Sequence, residues 1–202
     1  MNFLAHAWLA ADDPAHQLGG LMGDFVKGPL PAGLPADIAA GVALHRRIDV
    51  FADNHPAFRR SRGRVSPARR RAAGILVDMF YDHFLARHWS DFHPEPLPAF
   101  TARMYALMDA HHRMLPPRLA GQLPSMRKDD WLASYRRAEI VAFALDRMSR
   151  RLSRPEMLLG GAAELEEHYA GFEADFFQFV VDAKSFARLA IKPSEPAEKP
   201  CP

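Results

Sequence analysis

Twelve residues, Asp78 to Trp89 (DMFYDHFLARHW), constrain this chain more than any other stretch. They set two carboxylates and two imidazoles among large apolar side chains in what reads as one helix. Side chains four apart share a helix face, so Asp78 and Asp82 point into the same space. His83 lies about 100° further round at 3.6 residues per turn, so neighbouring residues can approach one ion from two sides. Phe80, Tyr81, Phe84, Leu85 and Trp89 leave little of the helix free to face water, and a helix that is apolar nearly all round is buried. Asp and His on a helix are most often solvated or answered by an Arg such as Arg87. Buried carboxylates, however, are costly unless they are paired or hold a metal.

A second stretch repeats the pattern. Pro35 suits the first turn of a helix running to about Ala52. Ile38, Val42 and Ile48 recur on it near helical spacing, and His45 and Asp49 stand four apart with Asp53 four further on. One such pair is more often an intrahelix contact than a metal site. Two such helices in one small chain change the weighting, because pairing their faces brings His45, Asp49, Asp78, Asp82 and His83 together. His6 lies on a short first helix, Asn2 to Ala11, with Asn2 at its N-cap. Asp24 follows in QLGGLMGDFVKG, where glycines permit tight turns and close helix approach. That segment has neither the spacing of a phosphate-binding loop nor a strand before it.

From Asn54 to Val77 no acidic residue occurs, while Arg59, Arg60, Arg62, Arg64, Arg69, Arg70 and Arg71 accumulate. Ser66 and Pro67 look like the N-cap and first turn of the helix that carries Asp78. Standing alone the run reads as a solvated basic loop, but a one-sign patch beside a cleft attracts anionic partners. It lacks aromatic interleaving and any nucleic-acid motif, so no nucleic-acid partner is expected. Further helices are expected from about Ala99 to Leu115, and from Asp129 or Asp130 through Met148 with Arg136, Arg137, Arg147, Arg150 and Arg151 on or just beyond its polar face. PPRLAGQLP between them reads as a turn. A last helix of about thirty residues carries a core stripe of Leu165, Tyr169, Phe172, Phe176, Phe179 and Val180 at helical spacing.

Nothing reads as a strand, and the expected class is an all-α, single-domain helical bundle over residues 1–190. The Pro-rich 191–202 segment that follows is expected to be a disordered tail. With 49% hydrophobic and 25% charged residues the composition is that of a soluble globular protein. Cys201 is the one cysteine, which excludes an intrachain disulfide framework and a Cys-based zinc site. No run is long and apolar enough for a membrane span. MNFLAHAWLA lacks a basic start and carries His6, which argues against a signal peptide, so a cytoplasmic protein is expected. A net charge of +2 points to no particular partner.

Four blocks, MNFLAH, GDFVKG, LHRRIDVFADNHP and DMFYDHFLARHW, together resemble the acyl carrier protein phosphodiesterase family. The resemblance runs from residue 1 to about 90 and continues more weakly through WLASYRR and the Leu165 to Phe179 helix. It implies an all-helical, HD-domain-like fold and removal of the 4′-phosphopantetheine arm from holo acyl carrier protein with a divalent cation, typically manganese. It also implies metal and catalytic roles for His6, Asp24, His45, Asp49, Asp78, Asp82 and His83. The Asp82-His83 order reverses the usual HD doublet, Trp8 stands where some relatives have a second His, and Ala52 stands where Thr is common. On this reading Asp24, His45, Asp78 and His83 are the first-choice ligands, and Asp49 and Asp82 complete or orient the shell. Asp24, Asp82 and His6 carry the catalysis, with His6 positioning water or protonating the departing serine alkoxide. Carboxylate and imidazole donors without thiolates suit manganese, magnesium or iron. Arg59, Arg60, Arg62, Arg69, Arg70 and Arg71 would dock the acidic carrier protein. Two alternatives stay open: an HD-like phosphohydrolase of a nucleotide or other small phosphoester, and a non-enzymatic helical module that binds an acidic protein.

Overall fold

The computed structural model describes residues 2–191, so 192–202, the segment expected to be a tail, lie outside the described residues. Among the described residues there is no strand, and the fold is all-α. The helices are α1 (Phe3–Leu9), α2 (Pro14–Met22), α3 (Ala36–Asn54), α4 (Pro56–Arg64), α5 (Ala73–Arg87), α6 (Trp89–Phe92), α7 (Leu97–Ala110), α8 (Pro117–Lys128), α9 (Trp131–Ser134), α10 (Ala138–Ser149), α11 (Ala162–Glu167) and α12 (Tyr169–Ile191). Short 3₁₀ stretches cover Pro67–Ala72, His112–Met114 and Pro155–Met157.

The apolar helix read from the sequence is α5, and it lies at the centre. Leu76, Val77, Phe80, Tyr81 and Phe84 are fully buried, and α1, α4, α10 and α12 pack around them. The α12 stripe supplies the opposite wall. Phe172 meets Phe80 edge-on with centroids 5.1 Å apart, and Phe176 meets Tyr81 in the same way at 5.6 Å. Edge-to-face pairs of this kind add about 0.5–1.5 kcal/mol beyond the area they bury.

Beside this core, α2 and α3 lie with their backbones in contact. A Cβ on Gly19 would stand 2.5 Å from the Ile38 carbonyl oxygen and 2.6 Å from the Val42 nitrogen, and one on Gly41 would stand 2.7 Å from the His16 Cα. Backbone cannot yield as a flexible side chain would. Gly19→Ala should therefore cost on the order of 3 kcal/mol, the upper end of overpacking penalties, and lower the urea midpoint accordingly. An unchanged midpoint would show that the crossing has slack.

Several helix boundaries differ from the expectation, for local reasons. α2, α4 and α8 occupy stretches read as turns or a loop, and each has proline in its first turn. Proline there is a helix starter, because its missing N–H is one of the unpaired donors anyway. Asp13 Oδ1 accepts the His16 N–H and His55 Nδ1 accepts the Ala57 N–H, which caps α2 and α4. α7 ends at Ala110 rather than Leu115. The helix expected through Met148 is interrupted between Ser134 and Ala138, and the last long helix is divided at His168. Ser66 caps the 3₁₀ stretch without a capping side-chain bond and gives its hydroxyl to Glu164 instead.

Candidate metal centre

Two helices and a turn aim side chains at one point. α3 presents His45 and Asp49 one turn apart, α1 brings His6, and the turn after α2 brings Asp24. His6 Nε2 lies 3.2 Å from Asp49 Oδ1, and His45 Nε2 lies 3.2 Å from Asp49 Oδ2, so a single carboxylate bridges two imidazoles. The two rings stack with centroids 3.6 Å apart. Asp24 Oδ1 is 3.6 Å from the same His45 Nε2. Both histidines are buried, whereas the side chains of Asp24 and Asp49 remain 57% and 39% exposed, so the cluster opens to solvent on its carboxylate side.

The neighbours fix which nitrogen faces the cluster. His45 Nδ1 is 2.9 Å from the Gly20 carbonyl oxygen, and a carbonyl can only accept, so Nδ1 carries the hydrogen. Nε2 of the neutral ring then turns its lone pair toward two carboxylates, an arrangement that is favourable only with a positive charge between them. Such an outer partner on the far nitrogen is also what orients metal-ligating histidines. Close approach depends on Gly23, where a Cβ would stand 2.2 Å from the His45 ring. Arg46 pins the following loop by donating to the Val26 and Gly28 carbonyls.

The titration behaviour follows the same geometry. Burial, reinforced by the neighbouring His45, lowers His6 to about 3 and keeps it neutral. Burial also opposes charge on His45, but hydrogen bonds to Asp24 and Asp49 outweigh it and raise that group to about 9. Against burial, hydrogen bonds from the two histidines hold the Asp49 carboxyl far below the usual carboxylate range. In the metal-free protein a proton on His45 thus occupies the place a cation would take.

Donor atoms of His6, His45 and Asp49 all lie within 4.8 Å of one another, so the residues fit a divalent ion. Asp78 joins the rim of the same site. It lines a cavity of about 340 Å³ together with Asp24, Asp49 and Asp53. Burial raises its carboxyl above the usual range, with Asp49 and Asp24 adding to the effect.

The other two residues of the Asp78 stretch have different partners. Asp82, with no exposed surface, accepts the N–H groups of Leu4 (2.9 Å) and Ala5 (3.1 Å) and so caps α1. Asn2 holds the N-cap position without a capping side-chain bond. His83 Nδ1 donates to the Tyr135 carbonyl at 2.8 Å and Nε2 pairs with the Tyr169 hydroxyl at 2.9 Å, leaving no ring nitrogen for an ion. Both residues fasten the scaffold to α5 rather than joining the cluster.

The arginine run is similarly engaged. Arg60 and Arg64 both bind the buried Asp175, Arg62 pairs with Asp53, Arg69 with Glu164, and Arg59 donates to Asn54. Arg70 and Arg71 are exposed.

An apolar trough between α1, α8, α9 and α10 opens against the acidic cavity, and the two share Asn2, Asp24, Met79 and Met148. Its walls come largely from an α10 face (Ile140, Phe143, Ala144, Arg147 and Met148) whose apolar residues resemble ordinary core, with Trp131 and Ser134 of α9 beside it and Arg118 and Gln122 of α8, a stretch read as a turn.

A family model described as "Acyl carrier protein phosphodiesterase" matches residues 1–183. The chain belongs to this family. It is 37% identical over 180 residues to the acyl carrier protein phosphodiesterase of Photorhabdus laumondii, covering 89% of this chain and 91% of that one. It is 38% identical over 182 residues to the protein of the same name from Serratia proteamaculans, and 38% over 185 residues to that of Escherichia coli O157:H7. Both alignments cover 89% of this chain and 93% of the relative. No solved structure matches.

Proposed function

We propose that this chain hydrolyses the phosphodiester of holo acyl carrier protein, releasing 4′-phosphopantetheine and the apo carrier, in the bacterial cytoplasm. The observation that carries the reading is the His6, His45 and Asp49 cluster with Asp24 at its open side, in a chain whose curated relatives carry that activity as their name. A divalent cation held by these residues, manganese first and magnesium or iron as alternatives, would neutralise phosphoryl oxygens and activate water.

The chain's own residues divide the remaining work. His6, kept neutral by burial, serves as a ligand rather than a general acid when a cation takes the place of the hydrogen it shares with Asp49. Asp24, the most exposed member, stands where it can take the proton of the attacking water. Asp78 holds the far wall of the acidic cavity. Asp82 and His83 act from behind the site, by keeping α1 and α9 on α5. Arg70 and Arg71, with Arg150 and Arg151, supply exposed positive charge that steers an acidic protein toward the opening.

The test is to incubate the purified protein with holo carrier and manganese, magnesium or ferrous iron in parallel, and weigh the carrier by mass spectrometry. Loss of the arm's mass, arrested by chelator and restored by metal, is expected. A carrier that stays intact under every metal would refute the reading.

A further inference from the structure

We infer that the apolar trough beside the metal centre seats the uncharged arm of the substrate, and that Trp131, Ile140, Phe143 and Ala144 set the preference for that arm. This deepens the proposed function and rests on it for the position of the phosphate. The first observation is continuity. Asp24, Asn2, Met79 and Met148 belong to both the acidic cavity and the trough, so a chain bonded to a phosphate at the cluster has the trough as its adjoining space. The trough holds about 240 Å³, below the 300–1,000 Å³ of most small-molecule pockets, which suits a slender chain better than a nucleotide.

The second observation is the chemistry of the walls. Phe3, Phe25, Trp131 and Ile140 give apolar surface, while Gln122 and Ser134 place a few polar groups along it. An arm built of methylenes interrupted by two amides and ended by a thiol needs this mixture: apolar contact for most of its length and sparse hydrogen-bond partners. Phe143 is 63% exposed although it lines the trough, an unpaid apolar surface that an occupant would cover.

The third observation is charge at the mouth. Arg147 lies 4.0 Å from the Trp131 ring centroid and Arg118 lies 6.0 Å from that of Phe25, so aromatic faces hold both cations on the trough wall. They complement an anionic carrier that delivers its arm from this side, and they stand apart from the arginines tied to Asp175 and Glu164.

The deciding measurement uses pantetheine, which lacks the phosphate and so reports on the trough without the metal centre. Titrated into the full-length protein by calorimetry, with tryptophan fluorescence in parallel, it should bind saturably in the millimolar range or tighter. Ala144→Phe, which fills the trough, should weaken that binding at least tenfold and raise KM for holo carrier. Should that variant lose its helical circular dichroism, the exposed Phe143→Ala decides instead, with a several-fold loss expected. No saturable binding to the wild type, or equal binding by the folded variants, would overturn the seat. Trough-dependent pantetheine binding in a protein that leaves holo carrier intact under every metal would uphold the seat and refute the activity.

Discussion

Asp49→Asn should abolish metal-supported turnover, with a fall of at least about a thousandfold, while the helical circular dichroism stays that of the wild type. The expectation follows from the position of this carboxylate, bridging His6 and His45 through separate oxygens. A carboxamide keeps the shape but loses the charge, and it must turn an NH₂ toward one of the two imidazoles. Removing a ligand from a catalytic ion forfeits several kcal/mol of charge stabilisation, and each 1.4 kcal/mol is a factor of ten in rate. The fold should tolerate the change because Asp49 is partly exposed, the carboxamide is isosteric, and the imidazole hydrogen bonds it weakens are partly offset by removing one charge from a cavity that also holds Asp24 and Asp78. Metal content after dialysis against manganese separates ligand loss from a purely electrostatic effect. The variant should retain much less metal than the wild type, and His45→Ala should behave alike. Wild-type turnover or wild-type metal content in Asp49→Asn would place the centre elsewhere.

What could be read from the residues alone was whatever depends on near neighbours in the chain. The i, i+4 spacing of His45 and Asp49 survives because both sit on one helix, and the apolar girth of α5 announced its burial. Partners distant in sequence were not legible. Asp82 answers backbone N–H groups of Leu4 and Ala5 at the chain's beginning, and no pattern around residue 82 distinguishes a carboxylate that caps a helix from one that binds an ion. The acid-free arginine run looked uncommitted for the same reason. Its counter-charges, Asp175 and Glu164, arrive about a hundred residues later, on α12 and α11. His6 is legible through its MNFLAH block rather than its surroundings, since a lone histidine on a short apolar helix is ordinarily a core residue. The trough is not legible in the sequence because Ile140, Phe143 and Ala144 on α10 look like ordinary core, and only the fold shows that they face an open groove shared with α1, α8 and α9.

Asp82→Ala should destabilise the protein strongly, and remove activity without touching an ion. Its carboxylate is fully buried and both oxygens accept N–H groups from the first turn of α1. Each buried donor left without an acceptor costs about 1–3 kcal/mol, so the loss should come to roughly 2–6 kcal/mol, a large part of the 5–15 kcal/mol typical of a domain. α1 has only seven residues, and the helix it loosens is the one that carries His6 to the cluster. Asp82→Asn supplies the control, because it keeps one acceptor and should fall between the two. The pH dependence gives an independent signature. Burial raises the Asp82 carboxyl to about 7 against the pull of the two amide bonds. A carboxyl whose folded value is raised contributes stability that is full below its unfolded value near 3.9 and is lost as pH climbs toward 7. The stability gap between the wild type and Asp82→Asn, measured by urea unfolding in chelator, should therefore narrow from pH 4 to pH 7. A gap that widens over that range, or an alanine variant within 1 kcal/mol of wild type, would show that Asp82 does not hold α1 in place.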